Sequence, residues 1–257
     1  MKALDLKLVR DLWRMRGQAF AIAIVLAAAS ATFILSMGVH LSLYETREAY
    51  YSENNFGDVF ANLTRAPRNV VDRVAALEGV QQAQGSILQY AILDFPDRVE
   101  AVRALLQSVD ERGRDRINLV TLKTGRMPAL DAPGEVVVDN AFAVANDVGP
   151  GDEFDAIIYG RKQRLRIVGV GFAPNYVNAL APGDVVPDDT RFGVFWMGEK
   201  ALEAATDRTE AINALSVKLQ RGASEADVIR AIDSILEPYG GTGAYARNDH
   251  PSHIFLD

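Results

Sequence analysis

The sequence predicts an α+β protein. One N-terminal transmembrane helix leads into an extracytoplasmic domain, where two strand-helix-strand units form a porter-like subdomain and a β-rich subdomain is inserted between them. Three observations predict this. Gly17 to Tyr44 carries no charged side chain. A strand-helix-strand pattern near Pro67 to Leu77 returns after Ser224, and the residues between alternate with period two around Gly- and Pro-marked turns.

The uncharged run reaches roughly 42 Å as a helix, enough to cross about 30 Å of hydrocarbon. A cleavable signal peptide carries an apolar core of only about 7 to 15 residues, so the run reads as a retained span. The chain holds 27 basic and 34 acidic residues, a net charge of −7. Residues 1–16 run against that balance, with Lys2, Lys7, Arg10, Arg14 and Arg16 facing only Asp5 and Asp11. Positive charge beside a span stays inside, which places the N-terminus in the cytoplasm and the large domain outside. Residues 1–16 form the cytoplasmic lead-in, where Leu4, Leu8 and Leu12 recur at helical spacing beside Trp13. They read either as an interfacial helix lying in membrane lipid or as a basic flank without fixed structure.

Within the span (17–44), Ala19, Ala23, Ala27 and Ala31 recur every fourth residue and line one helix face. Small stripes let helices approach closely in lipid, although alanine is also common in spans generally. The first reading calls for transmembrane neighbours that this chain does not supply. Tyr44, Glu48 and Tyr51 continue the helical spacing into a stalk (45–56), which Asn54 to Gly57 interrupts.

In the outer domain, residues 57–116 and 208–250 are expected to form the mixed αβ subdomain. Asp58–Leu63 reads as a strand, Pro67–Leu77 as an amphipathic helix and Val80–Leu93 as a second strand region. The pattern repeats with a strand over Ala214–Leu219, a helix capped by Ser224 and bearing Val228, Ile229, Ile232 and Ile235, and a strand at Ala244. Leu63-Thr64-Arg65-Ala66 and Leu219-Gln220-Arg221-Gly222 stand at matching places.

Residues 117–207 are the β-rich insert. Gly134–Val138 is a buried-type strand, Asp139 caps a short helix through Asn146, and Gly149-Pro150-Gly151-Asp152 turns the chain into a hairpin whose tip is Gly160-Arg161. The loop Ala173–Thr190 holds Pro174, Tyr176 and Pro182 as candidate partner contacts. Phe192–Met197 is apolar on both faces, as a core strand is, or as a partner-binding edge is. Residues 251–257 read as a linker toward a second span.

Catalytic chemistry finds no footing here. There is no phosphate-binding loop, and Gly169-Val170-Gly171 lacks the third glycine of a dinucleotide turn, so it reads as close backbone packing. The histidines are His40, His250 and His253 and there is no cysteine, so no zinc set is expected. Asp249, His250 and His253 read as solvated linker residues. The carboxylate pairs Asp152/Glu153 and Asp188/Asp189 sit at turns. An acidic outer domain excludes nucleic acid as partner.

Taken in order, these pieces resemble the FtsX/MacB-like permease family of ABC transporters. The matching motifs are Leu8-Val9-Arg10-Asp11-Leu12-Trp13-Arg14 before the span, Gly125-Arg126-Met127-Pro128, Gly134-Glu135-Val136-Val137-Val138-Asp139, and Gly149-Pro150-Gly151-Asp152 leading to Ile167-Val168-Gly169-Val170. The resemblance implies a non-catalytic permease subunit in a bacterial inner membrane, with its large domain in the periplasm and three further spans beyond Asp257. It also implies a separate ATPase that binds ATP and Mg, and a periplasmic adaptor or substrate protein as a further partner. No cofactor and no catalytic residue carries over. The alternative is a single-pass sensor or scaffold whose outer domain binds a ligand or adaptor.

Orientation is open to direct measurement. A reporter that works only outside the cytoplasm, joined after Asp58, is expected to be active, and a cytoplasm-only reporter at the same point silent; the opposite pattern reverses the orientation.

Overall fold

A computed structural model describes residues 10, 13, 16–95, 100–110, 117–177, 179–184 and 186–251. They divide into two units at Tyr50/Tyr51. Helix α1 (Arg16–Glu53) fills most of the described part of the first and has its last three residues in the second; it runs for 38 residues and is long and apolar enough to cross a membrane. It spans what the sequence separates into span and stalk. Polar groups inside it are satisfied locally: Thr32 Oγ1 donates to Ala28 O (2.9 Å) and Thr46 Oγ1 to Ser42 O (2.7 Å). Arg10 and Trp13 are helical, whereas Leu4, Leu8, Leu12, His253 and all but the first residue of the 251–257 linker lie outside the described residues.

Along the outer unit come β1 (Val59–Pro67), α2 (Asn69–Ala75), β2 (Val80–Ser86), β3 (Leu88–Asp94), β4 (Val102–Val109), β5 (Thr121–Gly125), β6 (Glu135–Asp139), α3 (Asn140–Asn146), β7 (Glu153–Ile158), β8 (Arg161–Phe172), β9 (Phe192–Gly198), α4 (Glu199–Thr206), β10 (Ala211–Leu219), α5 (Glu225–Leu236) and β11 (Ala244–Ala246). Two sheets result. The first is antiparallel with order β11-β1-β10-β2, so each strand-helix-strand unit straddles a strand of the other. Val70 and Val74 of α2 and Val228, Ile232 and Leu236 of α5 sit one helical turn apart and bury against Val59, Ala61, Leu63, Leu215 and Val217. Each such side chain contributes about 1.5–3 kcal/mol. Ser224 stands at the N-cap of α5, but its side chain makes no capping hydrogen bond; the expected hydroxyl cap is absent.

The second sheet closes on itself. β3 pairs with β4 and β7, β4 with β9, β9 with β6, β6 with β8, and β8 with β7, making a six-stranded barrel, while β5 extends the sheet from β8. Closure removes the exposed edges of those six strands. The interior is filled by rings, with Phe195 5.1 Å from Phe142 and 5.7 Å from Phe154, and Phe154 5.4 Å from Phe95. β9 is core on both faces, as the alternation allows: Phe195 and Met197 point into the barrel, and Val194 and Trp196 pack outward beneath Ala173, Ala179 and Ala181.

Local signals explain the turns. Tyr159 and Gly160 both have positive φ (48° and 77°), the requirement of a two-residue type I′ hairpin turn between β7 and β8. Gly169 and Gly171 are sites of close approach, since a Cβ there would lie 2.6 Å from Arg126 O and 2.7 Å from Thr121 O.

The sheets divide the chain differently from the sequence pattern. β3 and β4 hydrogen bond within the barrel sheet, so the insert begins at Leu88 rather than at 117. Alternation reports which faces of a strand are buried, not which sheet it joins. β4 shows almost no alternation because both its faces are covered. His250 also differs from expectation: it is buried, with its ring 4.5 Å from Phe60, not solvated.

Asp139 ends β6 and caps α3, its carboxylate accepting from Ala141 N (2.9 Å) and Phe142 N (3.3 Å). Burial pushes this carboxyl up to about 6, against the opposing pull of those amides, and the nearby Asp189 charge adds to the rise. Folded chain therefore holds a proton between about pH 4 and 6, where unfolded chain has released it. Stability from this group is fully present below about pH 4, falls as pH rises to about 6 and is level above, by roughly 2–3 kcal/mol in all. Asp139→Asn keeps the cap and is expected to remove that slope in unfolding measured across pH 4–7. Asp139→Ala is expected to cost about 1 kcal/mol through the lost cap.

Candidate functional site

The segment that ends α1 is tied into the outer unit by many polar bonds. After Glu53 the chain turns through Asn55, at φ 47°. Phe56 N then donates back to Tyr51 O (2.8 Å), and the rings of Tyr51 and Phe56 lie 4.6 Å apart, both buried. Phe56, Phe60, Tyr245 and His250 continue this aromatic layer across the sheet. His250 lies edge-on to Phe56 at 5.6 Å, and Phe60 stacks on Tyr245 at 5.9 Å.

Asp58 stands at the centre. One carboxylate oxygen accepts from Arg247 Nη2 and lies 3.5 Å from Lys218 Nζ; the other accepts from Leu219 N (2.9 Å). Arg247 also donates to Gly57 O (2.9 Å) and Phe56 O (3.0 Å), and Lys218 to Phe56 O (2.6 Å). These side chains are about one-fifth exposed, dry enough for the ion pairs to be screened less than surface pairs. Arg247 N donates to Asp58 O (2.8 Å), so the strand that opens the sheet and the residue that follows its last strand meet here. The arrangement fixes the position of the turn against the sheet.

A second set of bonds reaches β5, the strand that extends the second sheet, and the residues just before it. Asn118 N donates to Asn55 O (3.0 Å), Leu119 N to Asn54 O (3.0 Å), Gly57 N to Asn118 Oδ1 (2.9 Å) and Thr121 Oγ1 to Asn54 Oδ1 (2.6 Å). The turn after α1 is thus held by both sheets at once. Among the described residues, no three His, Cys, Asp or Glu side chains converge to hold a metal ion.

The residues marked from sequence fall in different places. Ala23, Ala27 and Ala31 are exposed on α1; nothing is described of the Ala19 side chain. Tyr44 is exposed with Arg47 5.0 Å over its ring, Glu48 lies 3.8 Å from Arg47, and Tyr51 is buried beside Phe56. Of the loop residues, Pro174 is buried, Tyr176 is half-buried with its ring 6.4 Å from Trp196, and Pro182 is exposed. Asp58, Asn118, Lys218 and Arg247 carried no sequence motif. The one available signal was the repeat of the strand-helix-strand unit, which makes the start of β1 and the end of β11 neighbours.

No family model matches the chain, and no curated protein matches it. Solved structures similar to it include the periplasmic region of MacB from Actinobacillus actinomycetemcomitans (12% identity, 76% of this chain and 91% of that one, TM-score 0.47). Others are the extracellular domain of the noncanonic ABC-type transporter YknZ from Gram-positive bacteria (11%, 76% and 100%, TM-score 0.46) and a domain assigned to a permease protein from Porphyromonas gingivalis (15%, 79% and 96%, TM-score 0.41).

Removing the Asp58 carboxylate leaves Leu219 N without its acceptor and takes the counter-charge from two part-buried cations, which keep their backbone carbonyl acceptors. Asp58→Ala is expected to cost about 2 kcal/mol in denaturant unfolding, and Asp58→Asn less because it can still accept from Leu219 N.

Proposed function

We propose that this chain is the first span and extracytoplasmic domain of an ABC-type permease subunit, a non-catalytic part that carries ATPase-driven motion to the outer face of the membrane. One observation carries the reading: the turn ending α1 is bonded at once to β10 through Lys218, to Arg247 after the last strand, and to the segment that enters β5 of the second sheet. The last residues of α1, Tyr51 to Glu53, lie in the same unit as that turn and both sheets. The motif order quoted above supports the same class. On this reading Ala19, Ala23, Ala27 and Ala31 pack on further spans, a separate ATPase supplies ATP hydrolysis, and the domain faces the periplasm or the cell exterior.

A second reading, a ligand- or adaptor-binding scaffold, is favoured by a groove of about 400 Å³ on the barrel's outer face, lined by Tyr90, Ile92, Arg103, Ile157, Tyr159 and Pro182. Affinity purification separates the two. A permease subunit is expected to bring down a phosphate-loop ATPase, and a scaffold is not.

The transmission role has its own test. The Asp58→Ala/Arg247→Ala double variant of the full subunit, assembled with its ATPase in nanodiscs, is expected to keep basal ATP hydrolysis yet fail to complement a strain lacking the gene. Full complementation by a variant shown to have lost the ion cluster would overturn the role.

A further inference from the structure

The two sheets keep separate apolar cores. One is drawn from β1, β2, β10, α2 and α5; the barrel's are drawn from residues between Ile87 and Leu202. Apart from the buried Ile117 near Gly57, what joins the sheets among the described residues is mostly polar. The chain crosses between them twice, at Ile87 and at 207–210, and the Asn213 side chain spans the crossings: Leu88 N donates to Asn213 Oδ1 (2.7 Å) and Asn213 Nδ2 donates to Leu88 O (2.8 Å). At the second crossing Asp207 and Glu210 both take positive φ, and Arg208 donates to Thr64 O (3.3 Å).

Beside that crossing, Arg68 reaches from the start of α2 to α4, 2.5 Å from Glu199 and 3.2 Å from Glu203, with Glu210 at 3.6 Å. Elsewhere the link is amide and hydroxyl: Asn118 Nδ2 donates to Ser216 Oγ (3.1 Å) and Ile117 N to Gln84 Oε1 (3.0 Å). A shared apolar core would weld the sheets, whereas a polar seam between separately packed bodies permits relative motion.

We propose that the barrel swings as one body against the four-stranded sheet, with the paired crossings pinned by Asn213 as the hinge and Arg68 with Glu199 and Glu203 as the latch. The latch suits reversible release, because its groups are part-exposed and one guanidinium faces three carboxylates. Asn118 gives the motion a point of drive, since it bonds both to the turn after α1 and to Ser216. The hinge holds whatever the outer domain serves, and it can fail without touching the permease reading.

The chain has no cysteine, so Val144→Cys on α3 and Arg230→Cys on α5, both exposed, give two unique spin-label positions in the full chain. Pulsed electron-electron resonance on this pair is expected to show one main distance. In Arg68→Ala the distribution is expected to broaden with a second peak displaced from the first, and high salt is expected to move the parent the same way. Glu203→Gln, which preserves shape, guards against simple misfolding and is expected to shift the distribution in the same sense by less. Distributions for Arg68→Ala and Glu203→Gln that superimpose on the parent would overturn the hinge.

Discussion

Asp58 is the constraint on which the outer domain depends. A single carboxylate receives bonds from Arg247 beyond the last strand, from the backbone of Leu219 at the end of β10, and lies beside Lys218. Its position at the first residue after the helix-ending turn makes it the place where local chain direction is converted into sheet order. Backbone pairing sets the register of β1 and β11, and the carboxylate adds the charge that holds Arg247 and Lys218 over this end. The aromatic layer of Tyr51, Phe56, Phe60 and His250 then shields the cluster from water and strengthens it.

Above that anchor the structure divides its labour between hydrophobic and polar forces. Apolar burial builds each sheet separately: the αβ layer through helix faces with one-turn spacing, and the barrel through a ring-filled interior. Polar contacts set how the two are joined. The difference matters because apolar cores fall off steeply when separated, whereas hydrogen-bonded seams can exchange partners with water at modest cost.

How much of this was legible in the sequence depends on the range of the interaction. The long apolar helix, the Asp139 cap and the Gly149–Asp152 turn are written in neighbouring residues and appear where the sequence places them, and the β7–β8 hairpin turns one residue earlier than expected, at Tyr159-Gly160. The repeated strand-helix-strand unit was also legible, because its two helices carry apolar stripes one turn apart. Membership of β3 and β4 in the barrel was not, since strand pairing across the chain leaves no periodic mark. The Asp58 cluster was invisible for a related reason: its members lie far apart in sequence, and an acid, a lysine and an arginine at strand ends look like ordinary solvated residues. His250 misled in the same way, a polar residue near the end of the chain made core by aromatic neighbours that only the fold brings close.

The barrel hangs from a hairpin. β2 and β10 are hydrogen-bonded neighbours, with Ser86 opposite Ala214, so the whole stretch between them leaves and rejoins the four-stranded sheet at almost one point. Loop-closure entropy depends on the separation of a loop's ends and only weakly on its length, so the host sheet is nearly indifferent to what it carries there. Residues added or removed in the barrel away from this junction therefore cost the host sheet little, provided that Asn118, Leu119 and Thr121 keep their bonds to the turn after α1.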